Sequence, residues 1–347
     1  MKTRLLGKTP DELRQLAVEA GLPAFTGGQL AQWLYGKRAG SIDEMTNLSR
    51  RGRELLSQTY EVGRIAPADM QCSADGTRKY LFPLPDSPAA VEAVMIPDQE
   101  RKTLCVSSQA GCKMGCHFCM TGRQGFHGNL SAADMLSQFF SIEEAGELTN
   151  AVFMGMGEPL DNWEEVKRVI GVLTADWGLG WSPKRITLST IGVLPKLKRY
   201  LDECRCHLAV SLHNPFPAER EELMPVQKAW SITEVVRLIR QYDFTGQRRV
   251  SFEYTVFDGW NDTPRHAEAL LKLLRGLECR VNLIRFHSIP DFPYTTASPR
   301  KMEAFRDMLV AGGLTATIRA SRGEDILAAC GLLAGQHAQA LSEKRNL

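Results

Sequence analysis

The chain has 347 residues, enough for one large domain with a smaller appendage. Hydrophobic residues make up 44% of it, which argues against wholesale disorder, and its net charge of +2 does not by itself indicate nucleic-acid binding. Residues 1–10 are polar and lack the apolar stretch of a signal peptide, and no apolar run is long enough to cross a membrane. These features predict a cytoplasmic protein.

Residues 1–68 carry the pattern of short amphipathic helices. Thr9 followed by Pro10 predicts a helix start, with the proline at the first helical position. Apolar residues then recur at helical spacing, and glycines separate the segments. We therefore predict a small helical accessory domain.

Residues 69–101 change to the alternation typical of strands. Thr77–Phe82 and Val91–Ile96 both alternate, and a proline-rich turn separates them. This pattern predicts a β-hairpin extension that leads into the main domain.

From residue 102 to 335, candidate strands alternate with helical stretches, and residues 336–347 form a tail. Such alternation predicts βαβ units, an α/β fold with a parallel sheet and, for about six units, a partial (β/α)6 barrel with its chemistry at the carboxyl ends of the strands. The candidate strands are Thr103–Ser107, Ala151–Met154, Arg185–Thr190, His207–Leu212, Val250–Val256, Val281–Phe286 and Thr315–Ile318.

Nine cysteines are unusual in a chain without a secretion signal, and three of them lie close together. Cys112, Cys116 and Cys119 form a Cys-x-x-x-Cys-x-x-Cys loop directly after the first predicted barrel strand. Three thiolates on one loop can bind three irons of a four-iron cluster and leave the fourth iron open to a substrate. Gly111 and Gly115 allow the backbone to fold tightly there.

Two other interpretations of this loop are a zinc site, with His117 as the fourth ligand, and three unrelated buried thiols. Structural zinc loops usually supply two separated pairs of ligands, and the glycine-flanked loop has no apolar periodicity. The spacing therefore favours an iron–sulfur cluster.

The loop resembles that of the radical S-adenosylmethionine superfamily. More narrowly, residues 90–335 resemble the RlmN/Cfr family of RNA adenine methyltransferases, and the helical N-terminal part resembles the accessory RNA-binding domain of that family. The resemblance implies a [4Fe-4S] cluster held by the three cysteines and two molecules of S-adenosylmethionine per turnover.

Candidate cofactor contacts lie at the ends of predicted strands. Read alone, the Gly-x-Gly-Glu-Pro turn and the serines that follow it along the chain are weak signals, because small polar residues are common in turns. The resemblance assigns contacts with S-adenosylmethionine to Gly157, Glu158, Ser189, Ser211, Leu212 and His213.

Two positions depart from the family pattern. His287 stands where relatives carry an asparagine that contacts the adenine end of the cofactor, and Ile191 stands where relatives often carry serine. A histidine can still donate or accept a hydrogen bond, so His287 is retained as a candidate contact.

Two further cysteines resemble the essential thiols of the family. Read alone, a single cysteine is normally a small buried hydrophobic residue. For Cys105 and Cys330 the resemblance implies that Cys330 accepts a methyl group, that the methylated residue becomes a carbon radical that adds to adenine, and that Cys105 then attacks the sulfur and releases the base, forming a transient disulfide. The ordinary interpretation is kept for Cys72, Cys204, Cys206 and Cys279.

Glu92 lies on a predicted strand thirteen residues before Cys105. Alternation alone favours a solvent-facing side chain. The resemblance instead assigns Glu92 as the general base, and a base beside the reacting ring is chemically sensible.

The resemblance implies methylation of an adenine ring carbon in RNA, carbon 2 in preference to carbon 8, with 23S ribosomal RNA as the expected substrate and transfer RNA as a second one. It also implies an electron donor such as flavodoxin or ferredoxin, and we expect a monomer. The alternatives are an activase or another 5′-deoxyadenosyl-radical enzyme, or a non-enzymatic iron–sulfur or zinc RNA-binding protein. Basic clusters that could track phosphates, or be ordinary solvated faces, are Arg50, Arg51 and Arg53, and Lys196, Lys198 and Arg199.

Overall fold

The computed structural model describes residues 2–85, 87–244, 246 and 248–334. The predicted tail, residues 336–347, lies outside the described residues. Across these ranges, no helix is both long enough and apolar enough to cross a bilayer.

The first described residues form the predicted helical region. Thr9 caps the first helix, its side chain accepting a hydrogen bond from the N–H of Glu12 while Glu12 accepts one from the N–H of Thr9. A short π-helical turn, Gln32–Gly36, follows the second helix. The helices of the described chain are α1 (Pro10–Glu19), α2 (Thr26–Ala31), α3 (Arg50–Thr59), α4 (Met120–Arg123), α5 (Ala132–Phe140), α6 (Trp163–Thr174), α7 (Leu194–Glu203), α8 (Pro217–Leu223), α9 (Ile232–Ile239), α10 (Pro264–Leu274) and α11 (Pro299–Ala311).

Strands occur in one large sheet and two small ones. The small sheets pair β1 with β2, which ties the first residues to the end of α3, and β7 with β8. The strands of the described chain are β1 (Thr3–Arg4), β2 (Tyr60–Glu61), β3 (Asp69–Cys72), β4 (Arg78–Pro83), β5 (Ala90–Asp98), β6 (Arg101–Cys105), β7 (Gln109–Gly111), β8 (Phe126–Asn129), β9 (Asn150–Phe153), β10 (Ile186–Thr190), β11 (His207–Ser211), β12 (Val250–Val256), β13 (Arg280–Arg285) and β14 (Thr315–Ile318).

The large sheet confirms the predicted α/β architecture. Its order is β14-β13-β12-β11-β10-β9-β6-β5-β4-β3, and neighbouring strands from β6 to β14 are parallel. Sequential parallel order with helical crossovers is the arrangement of an open, partial barrel, in which the carboxyl ends of the strands meet around one opening.

The predicted hairpin is continuous with this sheet. Strands β3, β4 and β5 are antiparallel to one another, and β5 pairs with β6 through the partners Val94 and Cys105. The hairpin therefore lengthens the inner face of the barrel at the edge where β6 begins the parallel part.

Candidate active site

A cavity of about 990 Å³, including its opening to solvent, lies at the carboxyl ends of the parallel strands. This is the position expected for the active site of such a fold, and the size suits a nucleoside-sized ligand. The predicted site residues that line it are Cys112, Cys116, Cys119, Gly157, Glu158, Ser189, Ser211, His213 and Cys330.

The cysteine loop lies between β7 and α4, and its ends are held together. Strands β7 and β8 pair at the base of the loop, and the N–H of Cys112 donates to the carbonyl of Gly125. Gly111 has a φ of +70°, and a Cβ there would lie 1.9 Å from the same carbonyl oxygen. Only glycine fits this position, so the tight loop depends on it.

The arrangement of the three cysteines suits a cluster better than a single metal ion. In the described chain, no group of three or more His, Cys, Asp or Glu side chains is close enough to hold one metal ion. A cubane binds each cysteine through a different iron and therefore tolerates wider spacing than one zinc ion. His117, the candidate fourth zinc ligand, contacts the carbonyl of Glu222 through Nδ1 at 2.7 Å and does not line the cavity.

Glu158 is a buried carboxylate on the cavity wall. The backbone N–H groups of Leu160 and Ile191 donate to it at 3.0 and 2.9 Å, yet burial raises the pKa of Glu158 to about 7. A cationic amino group entering the cavity would relieve that cost. The side chain of Ile191 is not needed for this contact, which explains why isoleucine is compatible with the position.

Gly157 shapes the turn that precedes Glu158. It has a φ of +98°, and a Cβ there would lie 2.5 Å from the Cβ of Gln109. The N–H of Glu158 in turn donates a hydrogen bond to the side-chain oxygen Oε1 of Gln109 at 2.8 Å. The glycine therefore lets the turn pack against the start of the cysteine loop, which brings Glu158 beside the cluster ligands.

His213 and Arg220 organise the end of β11. His213 has a φ of +55°, and its Nδ1 accepts a hydrogen bond from the N–H of Thr255. Burial, with Arg220 nearby, lowers the pKa of His213 to about 3, so the ring is neutral. Arg220 is fully buried and donates to the carbonyls of Ile191, Leu212 and Ser211, which fixes two strand-end loops of the cavity together.

Two predicted cofactor contacts do not line the cavity. Leu212 is fully buried, its N–H donates to Glu253 and its carbonyl accepts from Arg220. His287 contacts Ser321, which precedes the segment that carries Cys330, with Nε2 3.1 Å from Ser321 Oγ. The preceding residue, Phe286, lines the cavity instead.

The Cys330 segment, which we define as residues 323–334, borders the cavity at Cys330 and Gly331 and is held at both ends. At its start, the N–H of Gly323 donates to Asp75, and Ser73 Oγ donates to Asp325 at 2.6 Å. Near its end, the N–H of Met120 donates to the carbonyl of Gly331 at 2.8 Å. The helix that follows the cysteine loop therefore positions the thiol of Cys330 at the cavity.

Cys105 lies beside this cavity, at the end of β6. The N–H of Met154 donates to its sulfur, and burial with Cys330 nearby raises the pKa of Cys105 to about 12. Burial also raises the pKa of Cys330. The Arg319 guanidinium opposes both shifts, and its Nη1 lies 3.5 Å from Met154 Sδ and from Glu253. All nine cysteines are free thiols in this structure.

Glu92 is buried, so its interpretation as a solvent-facing residue is wrong. It lines a second cavity of about 500 Å³, including its opening, on the other side of the Cys330 segment. The N–H of Ala334 donates to Glu92 Oε2 at 2.8 Å. Glu92 is thus next to the segment that carries Cys330, but not in the main cavity.

The basic clusters are largely paired with acidic neighbours. Arg50 contacts Glu54, and Lys198 contacts Asp202, each at i,i+4 spacing on one helix. Such pairs are typical of solvated helix faces. A role for these clusters in tracking phosphates stays a prediction.

Three residues that sequence reasoning missed are central to the arrangement: Arg220, Arg319 and Lys79. Each is a single charged residue within a helix, a strand or a strand end, and no local spacing distinguishes it from a surface charge. Only long-range contacts reveal that Arg220 and Lys79 are buried and that Arg319 lies beside Glu253, so no signal in the sequence alone could have found them.

Comparison with known proteins places this site in a class. The family model described as the radical SAM superfamily matches residues 106–274, which include all three cluster cysteines and Glu158. A crystal structure of a radical SAM methyltransferase from Sphaerobacter thermophilus is similar over 96% of this chain and 99% of that one, with a TM-score of 0.91 and 38% identity. The fold and site are therefore those of a radical S-adenosylmethionine enzyme, a class that uses a [4Fe-4S] cluster and S-adenosylmethionine.

More specific relatives narrow the class. The family model described as the ribosomal RNA large subunit methyltransferase N-terminal domain matches residues 3–62. A probable dual-specificity RNA methyltransferase RlmN of Porphyromonas gingivalis is 57% identical over 98% of this chain and 99% of its own length. A dual-specificity RNA methyltransferase RlmN of Syntrophus aciditrophicus is 43% identical over 96% of each chain. The chain belongs to the RlmN family of radical S-adenosylmethionine RNA methyltransferases.

Proposed function

We propose that this protein methylates carbon 2 of an adenine in RNA through an S-methylcysteine at Cys330. The observation that carries the proposal is that the Cys330 thiol lines the same cavity as the three cluster cysteines and Glu158. A thiol that accepts a methyl group from S-adenosylmethionine and is later attacked by the cofactor-derived radical has to reach that cavity in both steps. The match to a ribosomal RNA large subunit methyltransferase N-terminal domain supports 23S ribosomal RNA as the substrate, and the "dual-specificity" in the names of the relatives supports a second one, for which we propose transfer RNA.

The residues around the cavity have different roles in the proposed reaction. Glu158 and the serines at the ends of β10 and β11 hold the amino-acid part and the ribose of S-adenosylmethionine. The cluster, when bound, supplies the electron that cleaves the cofactor. Arg319 supplies positive charge beside Cys105 and Cys330, which favours the thiolate form that each needs as a nucleophile.

The release of product needs a second thiol and a base. Cys105, on the strand end behind Cys330, attacks the sulfur of Cys330 once the base is linked to it, and the two thiols end as a disulfide that a reductant must reopen. Glu92, next to the other side of the segment, takes the proton from the ring carbon. We also propose flavodoxin or ferredoxin as electron donor, a cytoplasmic location and a monomeric state.

Two alternatives make different use of the same site. An activase of another protein would need the cluster loop and Glu158 but not the pair Cys105 and Cys330. A non-enzymatic RNA-binding protein would need neither Glu158 nor this second pair of thiols. The proximity of both thiols to the cofactor cavity favours the methyltransferase.

The test is a reaction of the anaerobically purified protein with its cluster, S-adenosylmethionine, a reductant and RNA. We expect a methyl group on Cys330 by peptide mass spectrometry and 2-methyladenosine by nucleoside mass spectrometry. Cys330→Ala removes both, and Cys105→Ala keeps the first while stopping at a covalent protein–RNA adduct. Cys279→Ala, which alters a half-buried thiol outside the site, is the matched control and should behave as wild type.

Other results would separate the alternatives. The appearance of 8-methyladenosine would overturn the choice of carbon 2 and leave the rest of the proposal standing. Formation of 5′-deoxyadenosine without methylated Cys330 would favour an activase. Full activity of Cys330→Ala would contradict the S-methylcysteine route.

A further inference from the structure

Lys79 and Glu92 form a buried ion pair at the edge of the barrel. Lys79 Nζ lies 3.2 Å from Glu92 Oε1, and the two side chains are 8% and 4% exposed. Charged side chains are rarely this buried unless each offsets the cost of burying the other. A lysine on a hairpin strand with no opposite charge in its own strand would normally point to solvent, so its inward position calls for an explanation.

The strand register places Lys79 and Glu92 on the same face of the sheet as Cys105. Lys79 is opposite Val94 on β5, and Val94 is opposite Cys105 on β6. Opposite residues share a face of a sheet, and Glu92 follows on that face two residues from Val94. Lys79, Glu92 and Cys105 therefore project from the inner face, toward the Cys330 segment.

The two oxygens of Glu92 have different surroundings. Oε1 faces Lys79, whereas Oε2 accepts the N–H of Ala334 on the Cys330 segment. Asp325 lines the same small cavity from the Cys330 segment, and Cys105 lies on the neighbouring strand. Asp325 is held by Ser73 and the N–H of Ala74, so Lys79 is the cation directly opposite Glu92 in this arrangement.

We propose that Lys79 is a positioning residue for the general base: its ammonium group lies against Glu92 Oε1 and fixes that oxygen, so that Oε2 is the oxygen that takes the proton from the adenine ring carbon. This inference rests on the proposed function. In the step, the carbon–hydrogen bond breaks, the proton moves to Oε2, and the electron pair stays on the base. Lys79 does not line the main cavity and acts through Glu92.

The test separates the two halves of the reaction. Methylation of Cys330 precedes the removal of the proton from the adenine carbon and does not use Glu92 in this proposal, so Lys79→Met should methylate Cys330 at the wild-type rate. The same variant should form methylated adenosine about 100-fold more slowly, in the range usual for a lost general base, and should accumulate the covalent protein–RNA adduct. The pH profile of product formation should differ between Lys79→Met and wild type, and Lys79→Arg, which keeps a cation at this position, should restore most of the rate.

Arg78→Met is the matched control. Arg78 is the neighbouring residue of β4, lies on the opposite face of the sheet and pairs with Glu144 at 2.8 Å. Its loss also removes a cation from a buried carboxylate, but away from the site, so product formation should stay near wild type. Equal losses in Arg78→Met and Lys79→Met would show a general effect of the strand and overturn the proposal.

A double variant keeps the proposal testable if Lys79→Met folds poorly. Lys79→Met/Glu92→Gln leaves no unpaired charge between these two positions, and it should be no slower than Glu92→Gln alone. Additive losses would contradict action through Glu92. If Glu92→Gln makes product at the wild-type rate, the base assignment of the proposed function is wrong; if it is inactive while Lys79→Met is unchanged in rate and pH profile, only the role of Lys79 is wrong.

Discussion

Two pairs of thiols occupy opposite ends of the parallel sheet. Cys105 lies at the carboxyl end of β6, beside Cys330 and the main cavity. Cys204 and Cys206 precede β11, at the amino ends of the strands, and are buried without lining that cavity. Each pair has an arginine nearby, Arg319 for the first and Arg248 for the second.

The pair outside the cavity contains the more acidic thiol. A hydrogen bond from Cys206 lowers the pKa of Cys204, whereas burial raises the pKa of Cys105 to about 12. Acidity favours the thiolate, but a thiolate reacts only with what can reach it. The pair that we propose to be functional is therefore distinguished by the position of Cys330 at the cofactor cavity and not by the acidity of the resting thiols.

The largest expected effect comes from removing one thiol of each pair. Cys330→Ala should lower the yield of methylated adenosine by at least about 1,000-fold, because a covalent step loses its nucleophile. Cys204→Ala should stay within about twofold of wild type. Nucleoside mass spectrometry of RNA after equal reaction times measures the yield of methylated adenosine for both variants. A large loss in Cys204→Ala would show that the two pairs of thiols do not differ in this way.

Arg220→Ala tests how far the loops at the carboxyl ends of β10 and β11 depend on one buried arginine. Loss of its guanidinium leaves the carbonyls of Ile191, Leu212 and Ser211 without their donor, at a cost of about 3–5 kcal/mol in the free energy of unfolding. Affinity for S-adenosylmethionine should fall with it. The control is Arg265→Ala, an exposed arginine that pairs with Glu219, which should change stability by less than about 0.5 kcal/mol.

Chemical denaturation and cofactor binding by calorimetry distinguish the outcomes for Arg220. Reduced stability with unchanged cofactor affinity would show that the loops at the ends of β10 and β11 keep their shape without the arginine. Such a result would limit Arg220 to a structural role.

The buried carboxylate of Glu158 should lower the stability of the cofactor-free protein at neutral pH. Its folded-state pKa, about 7, lies above the ordinary value of 4.5, so the folded protein holds this proton more tightly than the unfolded chain does. The free energy of unfolding should therefore fall as pH rises from about 4.5 to 7, by an amount on the order of 3 kcal/mol. Glu158→Gln should lose this dependence, bind S-adenosylmethionine more weakly and, near pH 8, melt at a higher temperature than wild type.

Melting temperatures at pH 5 and pH 8, without cofactor, test this prediction. Glu143→Gln is the control, because Glu143 is exposed and its loss should leave the pH dependence of wild type. A Glu158→Gln variant that is less stable than wild type at pH 8 would show that the N–H groups of Leu160 and Ile191 outweigh the cost of burial.

Much of the fold could be predicted because buried parallel strands are short apolar runs between helices of regular period. Strand Val250–Val256 matches its predicted bounds, and β6 ends two residues before the predicted Ser107. The two-residue strands β1 and β2 carry too few residues for any period to show. The pairing of the hairpin with β6 is a long-range contact, and no local pattern encodes its register.

The site was predictable where chemistry requires a fixed local spacing. The cysteine loop and the turn before Glu158 are short, and the glycines in them are required by backbone geometry. His287 and Leu212 were assigned by position in a motif, yet the direction of a side chain at a strand end depends on its neighbours in space. Arg220 and Lys79 were missed for the same reason, since their partners lie on other strands.

The smallest effect is expected at the start of the Cys330 segment, where Asp325 joins it to the hairpin. Asp325 accepts hydrogen bonds from Ser73 and the N–H of Ala74, which lower its pKa, so the contact should weaken only when the carboxylate is protonated in acid. Asp325→Ala removes the contact while α4 still holds the far end at Gly331. We expect a loss of about three- to tenfold in product formation, because a less ordered thiol spends less time in the reactive position.

Glu100→Ala, in the exposed turn between β5 and β6, is the control for a lost carboxylate. The rate of Cys330 methylation should fall together with product formation, since both steps use the same thiol. A loss confined to product formation would instead show that Asp325 positions Glu92, the proposed base, and not the thiol of Cys330.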